Sequence, residues 1–401
     1  MGVVRNILPI LTAWAVLLPA CREDYEYFPA EKERPGQELV LEDEFPIVAW
    51  TGLDERKDSD DGFIAMKECG INTYLWWYDT LEDLLYVLDN AEKEGIKIIA
   101  RSQELYSEPE ATVRKLMNHP ALMGYCLKDE PEVWDLDWLA ELVGKIQSVD
   151  KVHPCYVNIY PNWCWGGING YLAMVTNYLK KVPVPFLSFD FYPIWEVDGV
   201  PGLREGWYAN LEDARTASLR FGIPFWAFAL SSPGKEGNKE WPVATVGHLR
   251  LQMFSNLVYG AQGFQYFTYH GICLAGAKRP TYNRVKTVNA ELQSLGFIFR
   301  NATVKNVWHT GAEIPERTYP LKIMPEGLES LDSGDAGLVV SRIEKEGRTY
   351  YALVNKDFEH DQQISIRFKS PVVRYNHDGY LVSLDERITL PPGDITIFEL
   401  K

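Results

Sequence analysis

The stretch that decides the fold is ALMGYCLKDEP, residues 121–131. Its apolar run, Leu122, Met123, Tyr125 and Leu127, ends in two adjacent carboxylates, Asp129 and Glu130, and Pro131 then forbids the strand to continue. A buried strand that delivers acids at its C-terminal end is how a parallel barrel presents reactive groups, because all of its strands open onto one face at that end. The same two acids have a plainer use, as caps for a helix that Pro131 would start.

The chain on either side repeats this unit. From residue 46 short apolar runs alternate with longer amphipathic stretches, the pattern of buried strands joined by helices. Strands are expected at Pro46–Trp50, Asn72–Tyr78, Ile96–Ala100, the opening stretch, Cys155–Tyr160, Pro185–Tyr192, Pro224–Leu230 and Gly263–Tyr269. The helix Leu81–Glu94 is typical of the connections, with Leu84, Leu85, Val87, Leu88 and Ala91 at helical spacing. Eight such units in about 250 residues match a (β/α)8 TIM barrel in count and length. An open doubly wound sheet would carry a Gly-rich phosphate turn after its first strand, and Trp50-Thr51-Gly52-Leu53 is not one.

After residue 302 the pattern changes to short strands of alternating character, among them Leu338–Ile343, Thr349–Val354, Gln363–Phe368, Val372–Tyr375, Leu381–Leu384 and Ile395–Leu400. Turn signals such as Glu346-Gly347 and His377-Asp378-Gly379 separate them. The expected organisation is a barrel over 45–302 followed by a small all-β sandwich over 303–401. With no acid or His cluster of its own, the sandwich reads as a structural partner of the barrel.

Composition narrows the function. The formal net charge of −16 argues against nucleic acid or anionic lipid as partners. Aromatic residues make up 13% of the chain, with 13 Trp and 22 Tyr, and they have two uses: filling a core, or stacking on the C–H faces of sugars. At the N-terminus Arg5 precedes an apolar stretch, Ile7–Leu18, too short to span a bilayer. It runs into Leu18-Pro19-Ala20-Cys21, which resembles the lipobox of bacterial lipoproteins, so residues 1–21 are expected to be a signal peptide and Cys21 to carry lipid. A cleaved secretory signal with an incidental Cys is the alternative. The charged segment 22–44 then reads as a tether, and the protein as an exported lipoprotein of the outer membrane, cell surface or periplasm, touching membrane only through its anchor. Cys69, Cys126, Cys155, Cys164 and Cys273 fit no zinc spacing and the seven His are isolated, so neither a metal centre nor a cofactor is expected.

If the barrel forms, its strand ends converge. Read in order they carry Trp50; Trp76, Trp77 and Tyr78; Arg101 and Gln103; Asp129 and Glu130; Asn158 and Tyr160; Asp190 and Tyr192; Ser231 and Ser232; Tyr266, Tyr269 and His270. Trp163, Trp165 and Trp195 follow in adjacent loops, and Trp226 in the seventh strand joins the expected ligand contacts. A cleft rich in aromatics and hydrogen-bonding groups, poor in Lys and without a Gly-rich cradle, suits a neutral polyhydroxylated ligand better than a phosphorylated one.

At these positions the chain resembles the clan A glycoside hydrolases, particularly the β-galactosidase-like barrels of gut-type bacteria. The matching stretches are His119-Pro120-Ala121-Leu122-Met123-Gly124-Tyr125 running into Lys128-Asp129-Glu130-Pro131, then Ser188-Phe189-Asp190-Phe191-Tyr192-Pro193 and Pro224-Phe225-Trp226-Ala227-Phe228. Leu249-Arg250-Leu251-Gln252-Met253 and Tyr259-Gly260-Ala261-Gln262-Gly263 continue it, and Leu390-Pro391-Pro392-Gly393-Asp394-Ile395 resembles the last strand of the β domain such enzymes carry. The resemblance implies an O-glycosyl hydrolase acting on a poly- or oligosaccharide, with Glu130 as general acid/base and Asp129 where Asn is typical.

The departure is at the seventh strand, where the clan places its nucleophilic Glu. This chain reads Phe228-Ala229-Leu230-Ser231-Ser232, with no carboxylate. Paired-acid hydrolysis needs a second carboxylate, and two candidates remain: Asp190 at the end of the sixth strand, and Glu240 in the loop 232–242. The rival is a glycan-binding lipoprotein that has lost its nucleophile. An aldolase-type barrel would need a Schiff-base Lys, for which Lys128 is the nearest residue.

Overall fold

The computed structural model describes residues 43–53 and 59–401. Cys21 and all but the last two residues of the expected tether lie outside them. Eight parallel strands close into a barrel in sequence order: β1 (Ile47–Trp50), β2 (Thr73–Leu75), β3 (Lys97–Ala100), β4 (Leu122–Asp129), β5 (Cys155–Ile159), β6 (Leu187–Phe189), β7 (Phe225–Leu230) and β8 (Ala261–Phe267), with β8 pairing back onto β1. The connecting helices are α1 (Ser59–Glu68), α2 (Leu81–Glu94), α3 (Pro109–Leu116), α4 (Leu136–Gln147), α5 (Gly167–Lys181), α6 (Trp207–Phe221), α7 (Val246–Tyr259) and α8 (Thr281–Ser294). The expected (β/α)8 architecture is therefore borne out. Local chemistry sets the helix bounds. Thr80 and Thr245 accept N–H bonds at the starts of α2 and α7, and Gly95 and Gly260 take left-handed backbone at their ends.

Two apolar layers hold the barrel. The outer one lies between strands and helices. The inner one fills the lumen and is strongly aromatic: Val48, Trp50, Leu75, Ile99, Cys126, Tyr156, Phe186, Trp226 and Phe228. Trp226 stacks on Phe186 with ring centroids 4.1 Å apart. It fits because residue 263 is Gly, where a Cβ would lie 2.4 Å from the indole.

The second domain is a six-stranded antiparallel sheet facing a three-stranded one, with Trp308, Tyr351, Leu353, Ile366 and Phe398 in the core between them. Three of its strands, Thr303–His309, Leu328–Asp332 and Ile388–Leu390, were not expected, because exposed polar residues such as Lys305, Glu329, Ser330 and Thr389 interrupt their apolar runs. The outer face of the large sheet packs on the barrel through Val339, Ile343, Tyr350, Ala352 and Ile397.

A polar network crosses that seam. Arg250 of α7 donates from Nε to Glu291 of α8 at 2.9 Å, and His377 of the β domain bonds Asp394 at 2.8 Å. Burial opposes charge on His377, but Asp394 and Glu291 outweigh it, with Arg250 working against them, and the net effect raises the imidazole pKa. Asp378 lies 3.4 Å from the same ring. A His pKa raised on folding stabilises the native state below its ordinary value of 6.5, and that stability is lost as pH rises through the folded value. His377→Gln should therefore flatten the fall in melting temperature between about pH 6 and 8. An unchanged slope in calorimetry would remove His377 from the account.

Candidate active site

The acids sit where β4 ends, and a bulge aims them. Cys126 pairs with Tyr156 but Lys128 with Val157, so β4 spends one residue more than β5 and brings Asp129 level with Asn158. Glu130 continues the ladder with one bond, its N–H to the Asn158 carbonyl at 2.8 Å, and then turns with φ +48. Left-handed backbone at a non-glycine residue costs about 1 kcal/mol. Such cost is concentrated at functional positions. The helix-capping alternative fails on geometry: the short 3-10 turn Val133–Asp135 is capped by Glu132, and Asp135 Oδ2 accepts from the Glu132 N–H at 2.9 Å. Asp129 and Glu130 are left for other work.

Asn158, 2% exposed, joins strands β4, β5 and β6. Its Nδ2 donates to Asp129 Oδ1 at 3.2 Å and to Asp190 Oδ1 at 3.1 Å. The orientation is imposed from below. Trp50 Nε1, a donor only, and the Tyr156 hydroxyl both give to Gln265 Oε1, at 3.2 and 2.7 Å. Gln265 must then present Nε2 to Ser188 Oγ at 2.8 Å, and Ser188 donates to Asn158 Oδ1 at 3.0 Å. This buried relay keeps both N–H bonds of Asn158 on the carboxylates.

The carboxyls perturb one another. Burial, then the charges of Asp129 and Glu132, push Glu130 up to about 7. Burial, then Glu130 and Asp129, push Asp190 up to about 8, against the Asn158 bond. Asp129 is raised chiefly by burial, with Asn158, Arg101 and Lys128 opposing. The Tyr192 phenol is driven well above its ordinary value by burial and by Asp190. Tyr160 is pushed up to about 12, first by burial and then by Glu130 and Glu132, and its hydroxyl lies 3.4 Å from Glu132 Oε1.

Several expected contacts move. Trp226 is fully buried in the lumen, and Tyr78 and Tyr269 are 3% and 0% exposed, with the Tyr269 hydroxyl given to the Gly62 carbonyl. None of the three keeps a surface for a ligand. Trp50 is 3% exposed and belongs to the relay. Trp165 is buried against Tyr178, whereas His270 is exposed after the end of β8.

Glu240 is also displaced. It lies in Lys239–Trp241, part of a four-stranded sheet built from Ile194–Val197, Val200–Leu203 and Gly234–Glu236, in the loops after β6 and β7. Side chains alternate across a strand. Trp241 packs on Tyr192 and Lys239 on Trp195, so Glu240 takes the far face, exposed and paired with Lys235 at 2.7 Å. Lys128 is likewise outside the acid cluster, 3.8 Å from Asp135.

The end of β7, where a nucleophile would stand, is a clasp. Ser231 and Ser232 donate to the Thr268 carbonyl at 2.9 and 3.1 Å, and Ser232 Oγ accepts the Thr268 N–H at 3.0 Å. Aromatic groups flank the acids on both sides. Toward β2 and β3, Trp76 stacks on Trp77 at 4.3 Å, and Arg101 lies over Trp77 at 4.6 Å. Toward β6, the exposed Trp163 and the half-buried Trp195 hold Arg204. Gln265, Ser188, Tyr156, Arg204 and Lys239 were not expected at the site. Their only mark in the sequence is a polar residue inside an apolar strand, or a cation inside a polar loop.

On any substrate that the acids turn over, Trp50→Phe should leave KM nearly unchanged and lower kcat roughly tenfold, since it removes one of the two donors that fix the Gln265 amide without touching the cleft. Equal kcat for variant and wild type in steady-state assays would show that the relay does not position the acids.

No protein-family model and no curated protein matches the chain. Similar folds occur among solved structures. A family 39 glycoside hydrolase from the gut symbiont Bacteroides cellulosilyticus is 11% identical with a TM-score of 0.52, covering 90% of this chain and 82% of that one. A β-galactosidase from Bacillus circulans is 9% identical with a TM-score of 0.59, covering 89% and 99%. At these identities the likeness is one of fold.

Proposed function

We propose that the protein is a glycoside hydrolase that cleaves O-glycosidic bonds in a poly- or oligosaccharide, with Glu130 as general acid and Asp190 as the base that activates water. The observation that carries this reading is the carboxyl cluster of Asp129, Glu130 and Asp190, bridged by Asn158 on the strand-end face of the barrel. Two carboxyls in different environments divide the roles of acid and base. When Glu130 holds its proton it no longer opposes ionisation of Asp190, and the Asn158 N–H then favours Asp190 as a carboxylate. Burial and mutual repulsion raise both acids, Glu130 to about 7 and Asp190 to about 8, so over the intermediate range the pair shares one proton, and the reactive form is the one in which Glu130 carries it and Asp190 is ionised. The fold shared with the two hydrolases above is consistent with this chemistry.

The clasp at Ser231 and Ser232 favours a second reading, a barrel that binds glycans without cleaving them. Digestion of a glycan library with detection of new reducing ends decides between the two. Release from at least one glycan supports the hydrolase; binding with no release on any member supports the rival.

The leader belongs to the same proposal. No helix among the described residues is long and apolar enough to cross a membrane. Lipid on Cys21 would supply membrane attachment instead. Cys21→Ser should abolish incorporation of labelled palmitate and release the protein from the membrane fraction; continued labelling would exclude Cys21 as the anchor.

A further inference from the structure

Four tryptophans are exposed among the described residues, Trp77, Trp134, Trp138 and Trp163, and all four follow β2, β4 or β5 on the face where the acids open. Large apolar groups gathered in water mark places where something binds. Part of the Trp77 ring is covered by Trp76 and Arg101, and part of Trp163 by Arg204. Trp134 is 78% exposed, and no ring or cation among the described residues stacks on it.

Trp134 is held beside the acids. It lies four residues after Glu130, at most about 14 Å of extended chain. The turn Val133–Asp135 that carries it is tied to β4 through Lys128 Nζ, 3.8 Å from Asp135 Oδ2, and to the end of β5 through the Tyr160 hydroxyl, 3.4 Å from Glu132 Oε1. The turn runs directly into α4, whose inner side carries Leu136, Leu139, Leu142 and Val143. Residues four apart on such a segment are neighbours, roughly 5–6 Å between Cβ atoms, so Trp138 continues the surface that Trp134 starts. Trp138 then stacks on Tyr106, in the short helix Glu104–Ser107 after β3, with ring centroids 6.1 Å apart.

The rings thus form a ledge that leads from the acids over the ends of β4 and β3. Charged groups stand among them: Glu132 and Asp135 in the turn, and Arg101 beside Tyr106. Such groups are depleted from the core of a protein–protein interface, which argues against a protein partner. A glycan chain matches both features, because its C–H faces stack on indoles while its hydroxyls bond the groups between them. Carboxylates predominate on the ledge and the whole chain carries −16, so the fitting glycan is neutral.

We propose that Trp134 and Trp138 form a subsite for those units of a neutral glycan chain that extend past the bond held at the acids, along the loops after β4 and β3. The substrate class is a neutral polysaccharide or long oligosaccharide, not a disaccharide or a single terminal sugar. The inference rests on the glycan-cleft reading above, but not on cleavage.

Calorimetry on the full chain carrying Glu130→Gln, with cellohexaose, xylohexaose, mannohexaose and galactohexaose against the matching disaccharides, tests it. In at least one series the hexaose should bind about tenfold or more tighter than the disaccharide. Trp134→Ala with Trp138→Ala should erase that gain, leave the disaccharide affinity in place and keep the melting temperature within a few degrees. Equal affinity for both lengths in every series, no binding of any hexaose, or a gain that survives the double substitution overturns the subsite. A dimer in sedimentation that the double substitution dissociates, without any gain from length, overturns it in favour of contact between copies. Failure of the hydrolase reading shows separately, as wild-type protein that binds a hexaose and does not cleave it.

Discussion

Glu130→Gln is expected to lower kcat/KM roughly a thousandfold on any glycan the protein cleaves, the scale of losing a general acid. Glutamine preserves shape and removes the transferable proton, so the melting temperature should not fall. The same assignment fixes the pH dependence. Glu130 must be protonated to donate to the leaving oxygen, and burial with the Asp129 charge places its pKa at about 7. Activity should therefore peak where the pair holds one proton, falling at low pH as Asp190 is also protonated and at high pH as that last proton is lost. Asp129→Asn removes the nearby negative charge, lowers the Glu130 pKa and moves the alkaline limb to lower pH. A limb that stays in place in Asp129→Asn would mean that another group donates the proton.

Asp190→Asn should abolish turnover and, at alkaline pH, stabilise the fold. Asp190 has its pKa raised from 3.8 to about 8 on folding, and Glu130 from 4.5 to about 7. Each binds its proton more tightly in the native state than in the unfolded chain. The stability they allow is complete below about pH 4 and is lost as pH rises toward about 7 to 8. Asn at 190 has no charge to bury and can still accept from Asn158. The variant should exceed wild type by on the order of 5 kcal/mol at pH 8 and by little at pH 4. Urea unfolding at the two pH values measures it. A wild type more stable than the variant at pH 8 would mean that Asp190 is ionised at no cost, and the acid cluster would lose its physical basis.

Much of the frame was legible in the sequence. An apolar run cut short by Asp129, Glu130 and Pro131 can be placed without coordinates, and the same holds for Asn158 and Asp190, because a barrel strand displays whatever follows its last apolar residue. What lies inside the barrel was not. Trp50 and Trp226 look alike in sequence and both point into the lumen, yet one orients a relay and the other is plug, and the difference is that only the Trp50 indole N–H has the Gln265 side chain within reach. Gln265, Ser188 and Tyr156 are mid-strand residues whose partners lie 30 to 215 positions away. No local pattern encodes such pairings. Glu240 illustrates the loop problem: a one-residue change of parity in a hairpin separates a group facing the cleft from one facing solvent. Arg204 and Lys239 meet on Trp195 only because two long loops fold into one sheet.

The claim at the centre is that Glu130 and Asp190 together hydrolyse a glycosidic bond. Its most direct test is proton NMR of the first products from a cleaved glycan, with wild type and Glu130→Gln run side by side. With Asp190 activating water, the account predicts a single displacement: wild type first releases the anomer opposite in configuration to the substrate, and Glu130→Gln releases roughly a thousandfold less. A product of retained configuration, or equal release by the variant, would contradict it.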